Sequence, residues 1–112
     1  MIVRGKAVLG GWVTDNQYWG EPSGVIRAFD AVSGKFAWAW DMGNPGVHTE
    51  PPPGQNYTHS TPNAWAPLSG DEKLGLVDVP TGNPAGDDFG PAPISFSARA
   101  ATAAMPTELA CS

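Results

Sequence analysis

Residues 25–41, VIRAFDAVSGKFAWAWD, constrain this chain more than any other stretch. Val25 to Asp30 alternates, with Val25, Arg27 and Phe29 on one side and Ile26 and Ala28 on the other. Phe36 to Asp41 alternates as strictly and sets Phe36, Trp38 and Trp40 on one face. A period of two belongs to half-buried strands. Between them Ala31 to Lys35 forms a tight turn, where Gly34 is available for positive φ and Asp30 can accept from the turn amides. These runs predict an antiparallel hairpin with a heavy aromatic face. A single hairpin cannot bury that face, so it needs neighbouring strands.

The rest of the chain reads as short strands and long connections, an all-β pattern. Lys6 to Val13 is apolar and bounded by glycines, which predicts a buried strand, and Thr14 to Ser23 is a polar, turn-rich loop. Met42 to Asn63 contains Pro51, Pro52 and Pro53 and almost no periodicity; a loop of that length usually carries function or is disordered. Trp65 to Leu68 is expected to open a second hairpin across Ser69 to Lys73, returning through Leu74 to Val79. Gly and Pro, at 14 and 12 of 112 residues, cut regular structure into short pieces, while five Trp argue against plain disorder. After Gly90 strand alternation stops. Ser97 to Met105 has helix propensity without an amphipathic face.

Composition also narrows function. The net charge is −5 with only six Lys and Arg, so no basic stripe exists to neutralise phosphates and nucleic acid is not an expected partner. The single Cys111 excludes an internal disulfide and a cysteine-based zinc site. No apolar run approaches the roughly 20 residues of a membrane helix, and the N-terminus lacks a signal-peptide pattern. Export signals or anchors are therefore expected outside this segment.

The string AFDAVSGKFAW resembles the tryptophan-docking repeat of quinoprotein β-propellers. With TDN at 14–16, NAWAP at 63–67 and PTGN at 80–83 in that order, the stretch from about Val8 to Phe89 resembles the membrane-bound pyrroloquinoline-quinone (PQQ) glucose dehydrogenases. The resemblance implies an eight-bladed propeller of four-stranded sheets, of which residues 1–90 supply one blade and part of the next. It also implies PQQ, a divalent metal (Ca or Mg), oxidation of glucose or related sugars and polyols, and electron transfer to ubiquinone at the periplasmic face of the bacterial inner membrane. Contact with the membrane is expected only through segments absent here.

The same resemblance nominates site residues. Trp65, in NAWAP, is expected to stack on the flat quinone; a core tryptophan packed between blades is the alternative reading. Asp15 and Asn16 match TDN, expected near cofactor and metal, where a carboxylate beside a carboxamide suits a hard cation. From the residues alone an Asp-Asn pair is more readily a turn former. Asn83, in PTGN, matches a string that supplies a metal-binding asparagine in quinoprotein alcohol dehydrogenases, and a loop asparagine is its plainer reading. Asn63 is expected at the cofactor's polar rim. Glu21 sits in a loop equivalent to one that carries a metal-binding glutamate in the alcohol dehydrogenases, but the alignment needs a gap, so a solvated carboxylate is expected. His48, Glu50 and His59 fit no metal-ligand spacing and are expected on surface loops.

Three departures qualify the resemblance. The HHDxWD-like string that carries the catalytic aspartate is absent, and Asp87 and Asp88 lie in surroundings that do not match it. The chain is therefore expected to lack turnover alone, and a non-catalytic propeller scaffold and an orphan β-rich fragment are the rival readings. Residues 91–112 are expected to be an irregular, divergent tail, disordered or out of frame. Asp78 stands where an aromatic is usual, and a carboxylate in a buried strand would weaken the second hairpin.

Overall fold

A computed structural model describes residues 1–12, 20–82, 97–101 and 110–111. All eight described elements are strands: β1 (Ile2–Val3), β2 (Lys6–Leu9), β3 (Ile26–Asp30), β4 (Phe36–Trp40), β5 (Ser69–Asp71), β6 (Leu76–Pro80), β7 (Ser97–Ala101) and β8 (Ala110–Cys111). They form two four-stranded sheets, β1-β2-β3-β4 and β5-β6-β7-β8, each with antiparallel neighbours. Two open meanders of this kind are successive blades of a partial propeller. Val3, Val8, Ile26, Ala28, Trp38 and Trp40 from the first sheet meet Val77 and Val79 from the second in one core. Full burial of one such aliphatic side chain stabilises by about 1.5–3 kcal/mol.

The predicted hairpin is present as β3 and β4, with Ile26 opposite Trp40 and Ala28 opposite Trp38. A register shift between Ala28 and Phe29 then pairs Phe29 with Phe36. Phe36 therefore leaves the row of Trp38 and Trp40 and meets Phe29 edge-to-face, with ring centroids 5.9 Å apart. Asp30 holds the turn. Its carboxylate accepts from the Val32 and Ser33 amides (3.1 and 2.9 Å) and from the Ser33 hydroxyl (3.0 Å), and it pairs with Lys6 Nζ at 3.1 Å. The Gly34 amide donates to the Asp30 carbonyl at 2.9 Å, with φ of +72° at Gly34. The β5–β6 turn repeats this arrangement: the Leu74 amide donates to Asp71 Oδ1 and the Gly75 amide to the Asp71 carbonyl, both at 2.8 Å. DAVSG and DEKLG are thus one turn used twice.

Other expectations need correction. The first apolar run is a strand only to Leu9, because one face is buried: Val8 is inaccessible whereas Leu9 and Trp12 are exposed. Trp65 to Leu68 is not a strand; β5 begins at Ser69, since the Asp71 turn sets the hairpin's register. Asp78 does not burden the core. Alternation along β6 buries Val77 and Val79 and leaves Asp78 half-buried on the other face, near the Ser69 hydroxyl (3.5 Å) and in register with Arg99. Residues 97–101 pair as a strand with β6, so helix propensity is not realised there.

Three tight turns and three of the longer connections lie at opposite ends of the sheets. At one end lie the tight turns at residues 4–5, 31–35 and 72–75. Arg4 joins the blades there: its amide donates to Glu72 Oε2 (2.7 Å), its Nε to the Glu72 carbonyl (3.1 Å) and its Nη2 to the Lys73 carbonyl. The long connections, residues 10–25, 41–68 and 81–96, all leave from the opposite end.

Two outcomes are expected. Ile26→Ala should lower unfolding free energy in a denaturant titration by about 2–5 kcal/mol, because it empties the centre of the inter-sheet core. The Ser33 amide, then Lys6, the Ser33 hydroxyl and the Val32 amide, hold the Asp30 carboxyl well below its ordinary value of 3.8. Its contribution should be complete above the ordinary aspartate range and fade as pH falls below it. Melts of Asp30→Asn should accordingly show a shallower loss of stability on acidification below pH 3.8 than wild type.

Candidate functional site

One short segment collects the long-connection end. Pro62 to Trp65 crosses the ends of both sheets, and three loops press on it through glycines. A Cβ at Gly10, just past β2, would strike the Ala64 carbonyl, and one at Gly24, just before β3, would strike the Pro62 carbonyl. Gly82, just past β6, donates its amide to the Asn63 carbonyl at 2.6 Å. At residues 10 and 24 only a residue without a side chain permits backbone contact this close.

Hydrogen bonds from the preceding residues reinforce the placement. The Gly24 amide donates to Thr61 Oγ1 at 2.8 Å, and the Ser60 amide to the Glu21 carbonyl at 2.9 Å. His59 Nδ1 lies 3.1 Å from both the Gly20 and the Glu21 carbonyls. Carbonyls only accept, so this nitrogen carries the proton. Further back, Asp41 at the end of β4 is 3% exposed and accepts from the Thr58 amide (2.8 Å), the Thr58 hydroxyl (2.9 Å) and the Gly43 amide (3.0 Å). The residues leading up to Trp65 are thereby anchored to both blades.

On this rigid support Trp65 is unlike the other tryptophans of the core. Trp38 and Trp40 are 3% and 5% exposed, whereas Trp65 is 62% exposed. Trp65 is thus not part of the core between these two blades. The Nε1 and Cδ1 edge of its indole lies over Gly82, 3.0 and 3.4 Å from where a Cβ would stand. A broad aromatic surface is held by one edge and open elsewhere. Planar ligands stack on such surfaces.

The remaining nominated residues fall into three groups. Asn63 is fully buried, and its carbonyl serves the Gly82 amide. Asp15, Asn16 and Asn83 lie outside the described residues. Glu21 corrects an expectation: it is fully buried instead of solvated, since Ser60 and His59 draw its backbone under the 59–65 segment. His48 and His59 both bind backbone carbonyls, His48 Nδ1 reaching Ala39 O at 3.2 Å. Among the described residues no group of three His, Cys, Asp or Glu is placed to hold a metal ion. No helix among them is long and apolar enough to cross a membrane.

The elements that sequence reasoning missed are the glycines. GG at 10–11, SG at 23–24 and TG at 81–82 each stand at a strand end beside a long loop. That coincidence was a usable signal for close backbone approach.

Comparison with known proteins agrees with this geometry. The family described as PQQ: Glucose/ethanol/alcohol dehydrogenase, beta-propeller domain, matches residues 1–102, a span that takes in β7. The chain is 51% identical over 88 residues to the glycerol dehydrogenase large subunit of Gluconobacter oxydans (strain 621H), covering 79% of this chain and 12% of that protein. It is 49% identical over 82 residues to quinoprotein glucose dehydrogenase A of Acinetobacter calcoaceticus, covering 72% and 10%. Against quinoprotein glucose dehydrogenase of Escherichia coli (strain K12) identity is 42% over 90 residues, covering 80% and 11%. The chain thus spans 10–12% of the length of these relatives. No solved structure matches. Two propeller blades with an open indole at their loop end, and a family match over most of the sequence, place this chain in the PQQ-dependent dehydrogenase β-propeller family.

Proposed function

We propose that this chain supplies part of the cofactor floor of a quinoprotein dehydrogenase acting on glucose or related sugars and polyols. The observation that carries the reading is the 62% exposed indole of Trp65, fixed against Gly82 where the long loops of two blades converge. PQQ, when bound, would accept the two electrons released as a hydride on oxidation of a substrate hydroxyl. The chain's own part is to bind and orient. Trp65 offers the stacking face, and Asn63 holds the Gly82 backbone beneath the indole edge. A space that a Cβ at Gly82 would fill is what a flat group resting on the indole needs at its margin.

Asp15, Asn16 and Asn83 would hold a divalent ion, Ca or Mg, through side-chain oxygens. Support for this comes from the TDN and PTGN strings themselves and from the described Gly10, Gly24 and Gly82, which meet the 62–65 segment. Names of the relatives, spanning glycerol and glucose dehydrogenases, support a polyhydroxylated substrate without choosing one. Ubiquinone as electron acceptor, and a parent protein at the periplasmic face of the inner membrane, belong to the same proposal. Turnover is not assigned to these residues: no described side chain is placed as a base beside the indole, and the HHDxWD-like string is absent from the sequence.

Equilibrium dialysis of the 112-residue chain against PQQ tests the platform. Trp65→Ala should lower affinity about tenfold, the loss of one stacking partner and its buried area. Unchanged affinity in this variant would remove the proposal's basis. With glucose or glycerol and an artificial electron acceptor, the PQQ-loaded chain should show no dye reduction above the cofactor alone.

A further inference from the structure

We propose that Gly82 is a positioning residue for Trp65: the missing side chain at residue 82 sets the tilt of the indole and thereby the site's affinity for a planar quinone. The inference rests on the platform reading of Trp65 given above.

The three glycines around the 62–65 segment do different work. At Gly10 and Gly24 an added methyl group would meet backbone, the Ala64 and Pro62 carbonyls. That backbone is tied through Gly24 to Thr61 and through Asn63 to Gly82, so it cannot give way. Those two glycines are needed to assemble the fold. At Gly82 the obstacle is the indole edge, with Nε1 3.0 Å and Cδ1 3.4 Å from the added carbon. An exposed side chain can yield by rotating about its own torsions.

Backbone conformation does not explain the glycine. Gly5, Gly20, Gly34, Gly54 and Gly75 adopt positive φ, and Gly82 does not. Alanine at 82 is therefore free of the strain that a left-handed residue would impose. Nor can residue 82 retreat from the ring, because its amide is held on the Asn63 carbonyl at 2.6 Å. Among the described residues, displacement by a methyl group falls on the indole. Sub-ångström misplacement of a stacking face weakens binding of a flat ligand while leaving the sheets intact.

Gly82→Ala and Trp65→Phe, singly and together, test this. Gly82→Ala should melt as wild type does, shift the Trp65 indole N–H resonance, and weaken PQQ binding in equilibrium dialysis about threefold to tenfold. In the Trp65→Phe background, which lacks the Nε1 edge, the same change should cost little, so the two effects should be strongly non-additive. An unmoved resonance, or an equal loss of affinity in both backgrounds, would overturn the positioning role. Should Gly82→Ala fail to fold, recovery of folding in the double variant supports the contact and failure to recover refutes it. If the resonance moves while neither Gly82→Ala nor Trp65→Ala alters PQQ affinity, the platform reading fails and this proposal falls with it. If Trp65→Ala weakens binding and Gly82→Ala does not, the platform stands and the positioning role is lost.

Discussion

Backbone-to-backbone contact between residues 62–65 and three glycine-bearing loops is the constraint on which the functional end of this structure depends. Gly10 and Gly24 come from the first blade and Gly82 from the second, so the segment acts as a strap across both. Its polar groups are served on the way: Thr61 by Gly24, Asn63 by Gly82, and Ser60 by Glu21. A buried loop is tolerable only when its amides and carbonyls are paired in this manner. The result is an irregular segment about as firmly anchored as a strand. That firmness is what an exposed aromatic side chain needs if it is to present one orientation.

The two ends of the sheets show a division of labour. Short turns built on Asp30 and Asp71 close one end, and Arg4 fastens the blades there by donating three hydrogen bonds to Glu72 and Lys73. Each of these two turns is held by its own aspartate, with Lys6 and Arg4 tying them to neighbouring elements. The other end has none of that economy. Its connections are long, bury the polar side chains of Glu21, Asp41, Thr61 and Asn63, and expose two tryptophans, Trp12 and Trp65. Buried apolar side chains are concentrated in the core between the sheets, while the loop end carries both exposed tryptophans.

How much was legible in the sequence follows from the range of the interactions involved. The β3–β4 hairpin was readable because alternation and turn chemistry are local, and Asp30, Gly34 and Trp38 sit within a few residues of one another. The bulge that diverts Phe36 was not, since strict alternation cannot reveal one extra residue in a ladder. Trp65 was singled out by the string around it, but its contact with Gly82 is made with a separate loop further along the chain. Glu21 was misjudged for the same reason: a polar, turn-rich loop looks solvated until a distant segment, here His59 to Thr61, closes over it. Asp78 appeared costly because the phase of β6 relative to the core is fixed by the Asp71 turn, whose repetition of the Asp30 turn went unnoticed.

The chemistry assigned to this chain reduces to an open aromatic face whose edge is set by a neighbouring glycine. Nuclear Overhauser contacts in the labelled 112-residue chain address that arrangement directly. The Trp65 Hε1 and Hδ1 protons should show strong cross-peaks to the Gly82 α protons, and added PQQ should perturb the indole ring resonances while leaving those of Trp38 unchanged. Absence of the Gly82 cross-peaks, or ring resonances of Trp65 that ignore PQQ at saturating concentration, would contradict it.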